Sequence, residues 1–162
     1  MTYESTRNTV ETCFDRAATK TGEGLTSDAP GSGMRATVRA GRDRMRQLLQ
    51  SQFPADLRGA RVLDAGCGTG ALAFQLAQAG ADVVAVDISP KLITIAQQRQ
   101  PAHVSGTPQP MAGPLFDPGP GPFHHTPAMG SLDYCLAGDI PPPLLRVRTR
   151  ISSPLVCPRA SP

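Results

Sequence analysis

Two acids and three glycines stand at a spacing that could hold a charged ligand. Asp64 is followed by Gly66, Gly68 and Gly70. Asp87 lies about twenty residues beyond the glycines, the distance at which a doubly wound sheet brings a carboxylate to a ribose. Glycine admits positive φ and carries no Cβ. A ligand can then lie directly on peptide groups at the N-terminus of the helix that follows.

Two kinds of ligand use such a loop. A dinucleotide pyrophosphate is matched by Gly-x-Gly-x-x-Gly, whereas this chain reads Gly-x-Gly-x-Gly. Asp64, two residues before the first glycine, would repel a pyrophosphate but suits an ammonium and a sulfonium. S-adenosylmethionine carries both. A dinucleotide-dependent oxidoreductase therefore stays only as an alternative, and a plain strand–turn–helix whose glycines serve the turn is the bland one.

The flanking residues must place these groups. Val62-Leu63 reads as a strand into Asp64, and Asp82 to Val86, ending at Asp87, as a second strand buried on both faces. Between them Leu72, Ala73, Leu76 and Ala77 give a helix an apolar face, with Gly80 at its C-terminus. Ser89 can cap a further helix with Pro90 at its first position, continuing to about Arg99. Two crossover units of this kind form a right-handed parallel sheet. The fold class is α/β, a doubly wound parallel sheet.

Upstream, Asn8 to Thr19 can form a short helix and Thr21 to Gly33 reads as loop. A stronger helix is expected from Met34 to about Gln52, with Met34, Val38, Met45, Leu48 and Leu49 on one stripe. Arg35, Arg39, Arg42 and Arg46 form a neighbouring stripe, either a solvated face or a surface for an anionic substrate.

The chain has 162 residues, enough for one domain, and a net charge of +3, too small to argue for nucleic acid. Cys13, Cys67, Cys135 and Cys157 show no zinc spacing, and His124-His125 has no acid or cysteine at ligand spacing, so no metal is expected. With no membrane-spanning run and no signal peptide, a cytoplasmic setting is the default. All but three of the seventeen prolines lie from Pro101 onward. The expected organisation is a helical cap region, 1–58, an α/β core, 59–100, and a Pro-rich, poorly ordered remainder, 101–162. Within that remainder Gln109 to Phe116 and Phe123 to Met129 read as poor edge strands, the second interrupted by Pro127, and Leu144 to Ser161 as disordered. A sheet this short would leave an open edge beside the glycine loop and would invite association with other chains.

The stretch Asp64-x-Gly66-x-Gly68-x-Gly70, with Asp87, resembles the first motif of class I S-adenosylmethionine-dependent methyltransferases. That resemblance implies S-adenosylmethionine as cofactor. Asp64 would orient the methionine ammonium, Gly66, Gly68 and Gly70 would admit the ligand, Asp87 would take the ribose hydroxyls, and Cys67 and Ile88 would stand beside them.

A denser likeness covers Cys13 to about Arg99. Cys13-Phe-Asp-Arg-Ala-Ala-Thr19, Leu25-Thr-Ser-Asp-Ala-Pro30 and the stretch from Met34 to Arg46 resemble the magnesium protoporphyrin IX methyltransferase family of bacteriochlorophyll biosynthesis. Cys13, Gly22 and Gly31 stand where that family usually has Tyr, Trp and Val. The likeness implies O-methylation of a porphyrin propionate, with a magnesium porphyrin as partner and no catalytic base assigned. It also implies Arg39 and Arg42 facing the substrate, and a peripheral association with the photosynthetic membrane or with neighbouring pathway enzymes. Past Pro101 the likeness becomes patchy, with Pro114, His124 and Gly130 where the family has acids. Islands of match between Pro-rich stretches lead to the expectation of reading-frame slips and a lost C-terminal part. An inactive fragment, and a class I methyltransferase of another small molecule, are the alternatives.

Overall fold

The structure is a computed structural model that describes residues 8–9, 11–12, 15, 33–113 and 122–128. Its regular elements are α1 (Met34–Gln50), β1 (Arg61–Ala65), α2 (Ala71–Gln78), β2 (Asp82–Asp87), α3 (Pro90–Arg99) and β3 (Thr107–Ala112). The three strands form a parallel sheet in the order β1-β2-β3. Asp64 sits opposite Ala85, so the two acids come at the C-terminal ends of adjacent strands.

The strand sequences explain the layers. Successive side chains alternate between faces. Val62, Val83 and Ala85 pack with Leu72, Ala73, Leu76 and Ala77 of α2 and with Leu49 of α1. Leu63, Ala65, Val84 and Val86 point to the other face, where Ala128 and Phe123 pack against them. Both faces are thus dry, as the nearly unbroken apolar runs require. The stripe expected on α1 is narrower than its sequence suggests. Leu49 is buried, whereas its neighbour Leu48 is 55% exposed, so Leu48 lies at the margin of the face that α1 turns to the core.

The helix ends follow local chemistry. Ser89 caps α3 by accepting the Leu92 N–H at 3.3 Å, with Pro90 in the first turn. Gly80 takes φ 100 just after α2, where an added Cβ would lie 2.6 Å from the Arg58 side chain. Asn8, Thr9, Glu11, Thr12 and Asp15 are helical, as expected for the short N-terminal helix. The loop expected from Thr21 lies outside the described residues except for Gly33, and Leu144 to Ser161 lies outside them entirely.

Two expectations about the Pro-rich region are corrected. The edge strand runs from Thr107 to Ala112, two residues earlier than expected, and tolerates two prolines. Thr107 and Gly113 turn their N–H groups inward, to Ala81 and Asp87 carbonyls. Pro108 and Pro110 have the opposite parity, so the N–H groups they lack would have faced the outer edge. The other edge is not open either. Residues 122–128 run parallel to β1: the His124 N–H donates to Arg61 O at 2.8 Å, and the Leu63 and Ala65 N–H groups donate to His125 O and Pro127 O at 3.0 Å each. Pro127 contributes its carbonyl, for which it needs no N–H. The region after residue 100 therefore supplies an edge strand and a fourth parallel segment. The edge of β1 beside the glycine loop is thus paired.

Candidate functional site

The loop between β1 and α2 is shaped by its glycines. Gly66, Gly68 and Gly70 have φ of 81, 56 and 80, a region that other residues enter only under strain. The Gly66 and Cys67 N–H groups donate to Val86 O at 2.8 and 3.0 Å, which fastens the loop to the end of β2. The glycines differ in what surrounds them. A Cβ on Gly70 would meet the Phe74 ring at 2.8 Å and Ala96 at 3.3 Å, so this glycine serves helix packing. A Cβ on Gly68 would meet nothing within 4 Å. The space above the middle of the loop is free.

Asp87 is tied to the middle of that loop, and Asp64 lies in β1 two residues before Gly66. Asp87 is 7% exposed; its Oδ2 accepts the Gly68 N–H and its Oδ1 accepts the Ser89 N–H, both at 2.9 Å. Burial still raises its pKa; the two amides oppose the rise and the charge of Asp15 adds to it. Asp64 is 2% exposed, and its Oδ2 has no hydrogen-bond partner among the described residues. Burial and the charge of Asp87 push its pKa up to about 7, against the pull of the Ala73 amide in the first turn of α2. Without a cation, Asp64 titrates near neutrality instead of standing fully ionised there.

Of the expected site residues, Asp64, Gly66, Cys67, Gly68, Gly70, Asp87 and Ile88 are brought together at the C-terminal ends of β1 and β2. Cys67 is half-buried, and burial together with the two acids pushes its thiol up, so it stays protonated. Ile88 is half-buried between Asp87 and Ser89. Arg39 and Arg42 lie on α1, which packs against α2; Arg39 is half-buried and Arg42 exposed. Their neighbour Arg46 pairs with Asp43 at 2.5 Å. His124 and His125 belong to the sheet: His124 Nδ1 accepts the Arg61 N–H at 2.9 Å, and the His125 ring meets Phe53 edge-on. Among the described residues no group of three or more potential metal ligands converges.

One residue at the site is not visible from local pattern. Asp15, from the N-terminal helix, accepts the Ser89 hydroxyl at 2.5 Å across 74 positions of sequence. Only the family-like stretch from Cys13 to Thr19 that contains it signals importance.

The comparisons with known proteins agree with this geometry. A family model described as a methyltransferase domain matches residues 62–127. The magnesium-protoporphyrin O-methyltransferase of Rhodobacter capsulatus is 48% identical over 155 residues, covering 95% of this chain and 69% of that protein. The likeness thus continues well past residue 101. Two solved structures of magnesium protoporphyrin IX methyltransferase from Synechocystis PCC 6803, one with bound SAH and one with bound SAM, each superpose with a TM-score of 0.67. They are 28% and 27% identical and cover 78% and 80% of this chain. The chain spans 59% and 64% of their lengths.

Proposed function

The chain belongs to the magnesium-protoporphyrin O-methyltransferase family of class I methyltransferases, and we propose that it moves a methyl group from S-adenosylmethionine to a propionate of magnesium protoporphyrin IX. The pathway proposed with it is bacteriochlorophyll biosynthesis. The observation that carries the reading is the buried, unpartnered oxygen of Asp64 beside a glycine loop with free space at Gly68. Leaving such an oxygen unpaired costs about 1–3 kcal/mol. An ammonium group supplies the missing donor and a charge that holds the carboxylate ionised. The residues present therefore fit the cofactor.

When bound, S-adenosylmethionine supplies an electrophilic methyl: an oxygen lone pair of the propionate forms the new C–O bond as the C–S electron pair withdraws to sulfur, leaving S-adenosylhomocysteine. The acceptor resembles an ordinary carboxylic acid, with a pKa of about 4 to 5. It is ionised at neutral pH, and no residue of the chain has to take a proton. Rate then depends on alignment of oxygen, methyl carbon and sulfur. In this reading Asp64 fixes the ammonium, Asp87 the ribose hydroxyls, and Gly66 and Gly68 let the ligand approach the backbone, with Gly70 completing the turn into α2 and Cys67 and Ile88 lining the ligand's path. Arg39 and Arg42 on α1 are proposed to meet the anionic porphyrin, and residues 1–58 to form a cap over the site. The proposed location is the cytoplasm, with peripheral contact to the photosynthetic membrane or neighbouring enzymes. Among the described residues no helix is long and apolar enough to cross a membrane.

An inactive fragment is not the better supported alternative, because 48% identity extends over 155 residues. Calorimetric titration with S-adenosylhomocysteine and with NAD tests the cofactor reading. Binding of the first and not the second is expected; the reverse would return the loop to the dinucleotide class.

A further inference from the structure

Ser89 sits between two carboxylates from distant parts of the chain. Its hydroxyl donates to Asp15 Oδ1 at 2.5 Å, and its backbone N–H donates to Asp87 Oδ1 at 2.9 Å. The same Oγ accepts the Leu92 N–H at 3.3 Å, so capping of α3 fixes the direction of the hydroxyl. Ser89 is fully buried, which leaves it little freedom to exchange these partners for water. Asp87 in turn holds the Gly68 N–H through its other oxygen. A continuous relay thus joins the N-terminal helix to the glycine loop. The charge of Asp15 raises the pKa of Asp87, so the two acids repel each other across the serine.

We propose that Asp15 is a positioning residue that anchors the N-terminal helical segment to the cofactor loop through Ser89, so that docking of the segment and binding of the S-adenosyl ligand strengthen one another. The inference rests on the cofactor reading given above. Ribose hydroxyls donating to Asp87 disperse its negative charge and weaken the repulsion that opposes Asp15. The bound ligand therefore favours the docked segment, and by linkage the docked segment favours the ligand to the same degree. In this account Asp15 acts on the loop through Ser89.

The test uses the full chain, with S-adenosylhomocysteine titrated by calorimetry and hydrogen exchange followed across residues 8–15. Asp15→Ala should weaken binding about ten-fold, the scale of one lost hydrogen bond to a charged group. Asp15→Asn keeps an acceptor oxygen and removes the repulsion, and should stay within about two-fold of the wild type or bind more tightly. Ligand should slow exchange across residues 8–15 in the wild type. In Asp15→Asn, with no repulsion left to relieve, exchange should already be slow without ligand and change little, and in Asp15→Ala it should stay fast with and without ligand. A residue of merely structural importance would lower the melting temperature without this rescue pattern. Asp15→Ala with wild-type affinity and wild-type exchange, while Asp87→Ala loses binding, would overturn the anchor and leave the cofactor reading intact. Equal losses in Asp15→Ala and Asp15→Asn would also overturn it. A wild-type chain that binds no S-adenosylhomocysteine would overturn both.

Discussion

The Gly68 N–H donates to the Asp87 carboxylate at 2.9 Å, so the acid that ends β2 holds the middle of the loop that leaves β1. One side chain therefore has two proposed tasks: it shapes the loop in the free protein and takes the ribose in the complex. Asp87→Ala should lose both. A charge-assisted hydrogen bond is worth about 1.5–3 kcal/mol, so affinity for S-adenosylhomocysteine should fall by tens-fold or more in calorimetry. An unchanged dissociation constant would show that the ribose is held elsewhere.

Asp64 makes cofactor binding depend on pH. Its pKa in the free protein is pushed up to about 7 by burial and by Asp87. A cation needs the ionised form, so affinity should weaken as pH falls below about 7, towards ten-fold per unit, with a proton released on binding in that range. Stability of the free protein runs the other way. The folded pKa exceeds the ordinary carboxylate value, so between the two the unfolded chain binds fewer protons, and stability falls as pH rises. Thermal unfolding should show a higher melting temperature at pH 5 than at pH 8, and Asp64→Asn should flatten that difference. Binding and stability profiles that are flat across this window would exclude a buried, titrating Asp64.

The loop glycines should separate binding from folding. Gly68 has φ 56 with open space where a Cβ would stand. Gly68→Val should cost about 1–2 kcal/mol of backbone strain and abolish ligand binding, because its side chain fills that space. Gly70→Ala, with Phe74 2.8 Å from the new carbon, should instead lower the melting temperature sharply. Paired thermal melts and titrations check this. Retained affinity in Gly68→Val would move the site away from the loop.

Hydrogen exchange tests the sheet beyond β2. The amides of Thr107, Gly113 and His124 donate to Ala81, Asp87 and Arg61 carbonyls, and should be protected along with those of Leu63 and Ala65. Exchange at these amides as fast as in an unfolded chain would mean that the sheet ends at β2.

Much of the site was legible because its cause is local. Alternating glycines after a strand, an acid before them and an acid ending the next strand are short-range signals, and the structure places all of them together. The caps at Ser89 and Gly80 were readable for the same reason. What escaped was set by tertiary partners. Whether Pro108 and Pro110 break a strand depends on which way the neighbouring N–H groups face, and the composition after Pro101 does not contain that. By its residue type Pro127 interrupts a strand, yet the ladder asks it only for a carbonyl. Leu48 and Leu49 share an apolar pattern, but only Leu49 is buried, because the neighbouring elements cover one side of α1 there. Asp15 is one acid among many until folding carries it to Ser89.

The most direct test of the proposed activity is transfer of a labelled methyl group from S-adenosylmethionine to magnesium protoporphyrin IX by the full chain, with the product identified by mass. The expected result is a single monomethyl ester, formed by the wild type and lost in Asp87→Ala and Gly68→Val. A chain that binds S-adenosylmethionine tightly and releases no ester, with the porphyrin present in excess, would contradict the account.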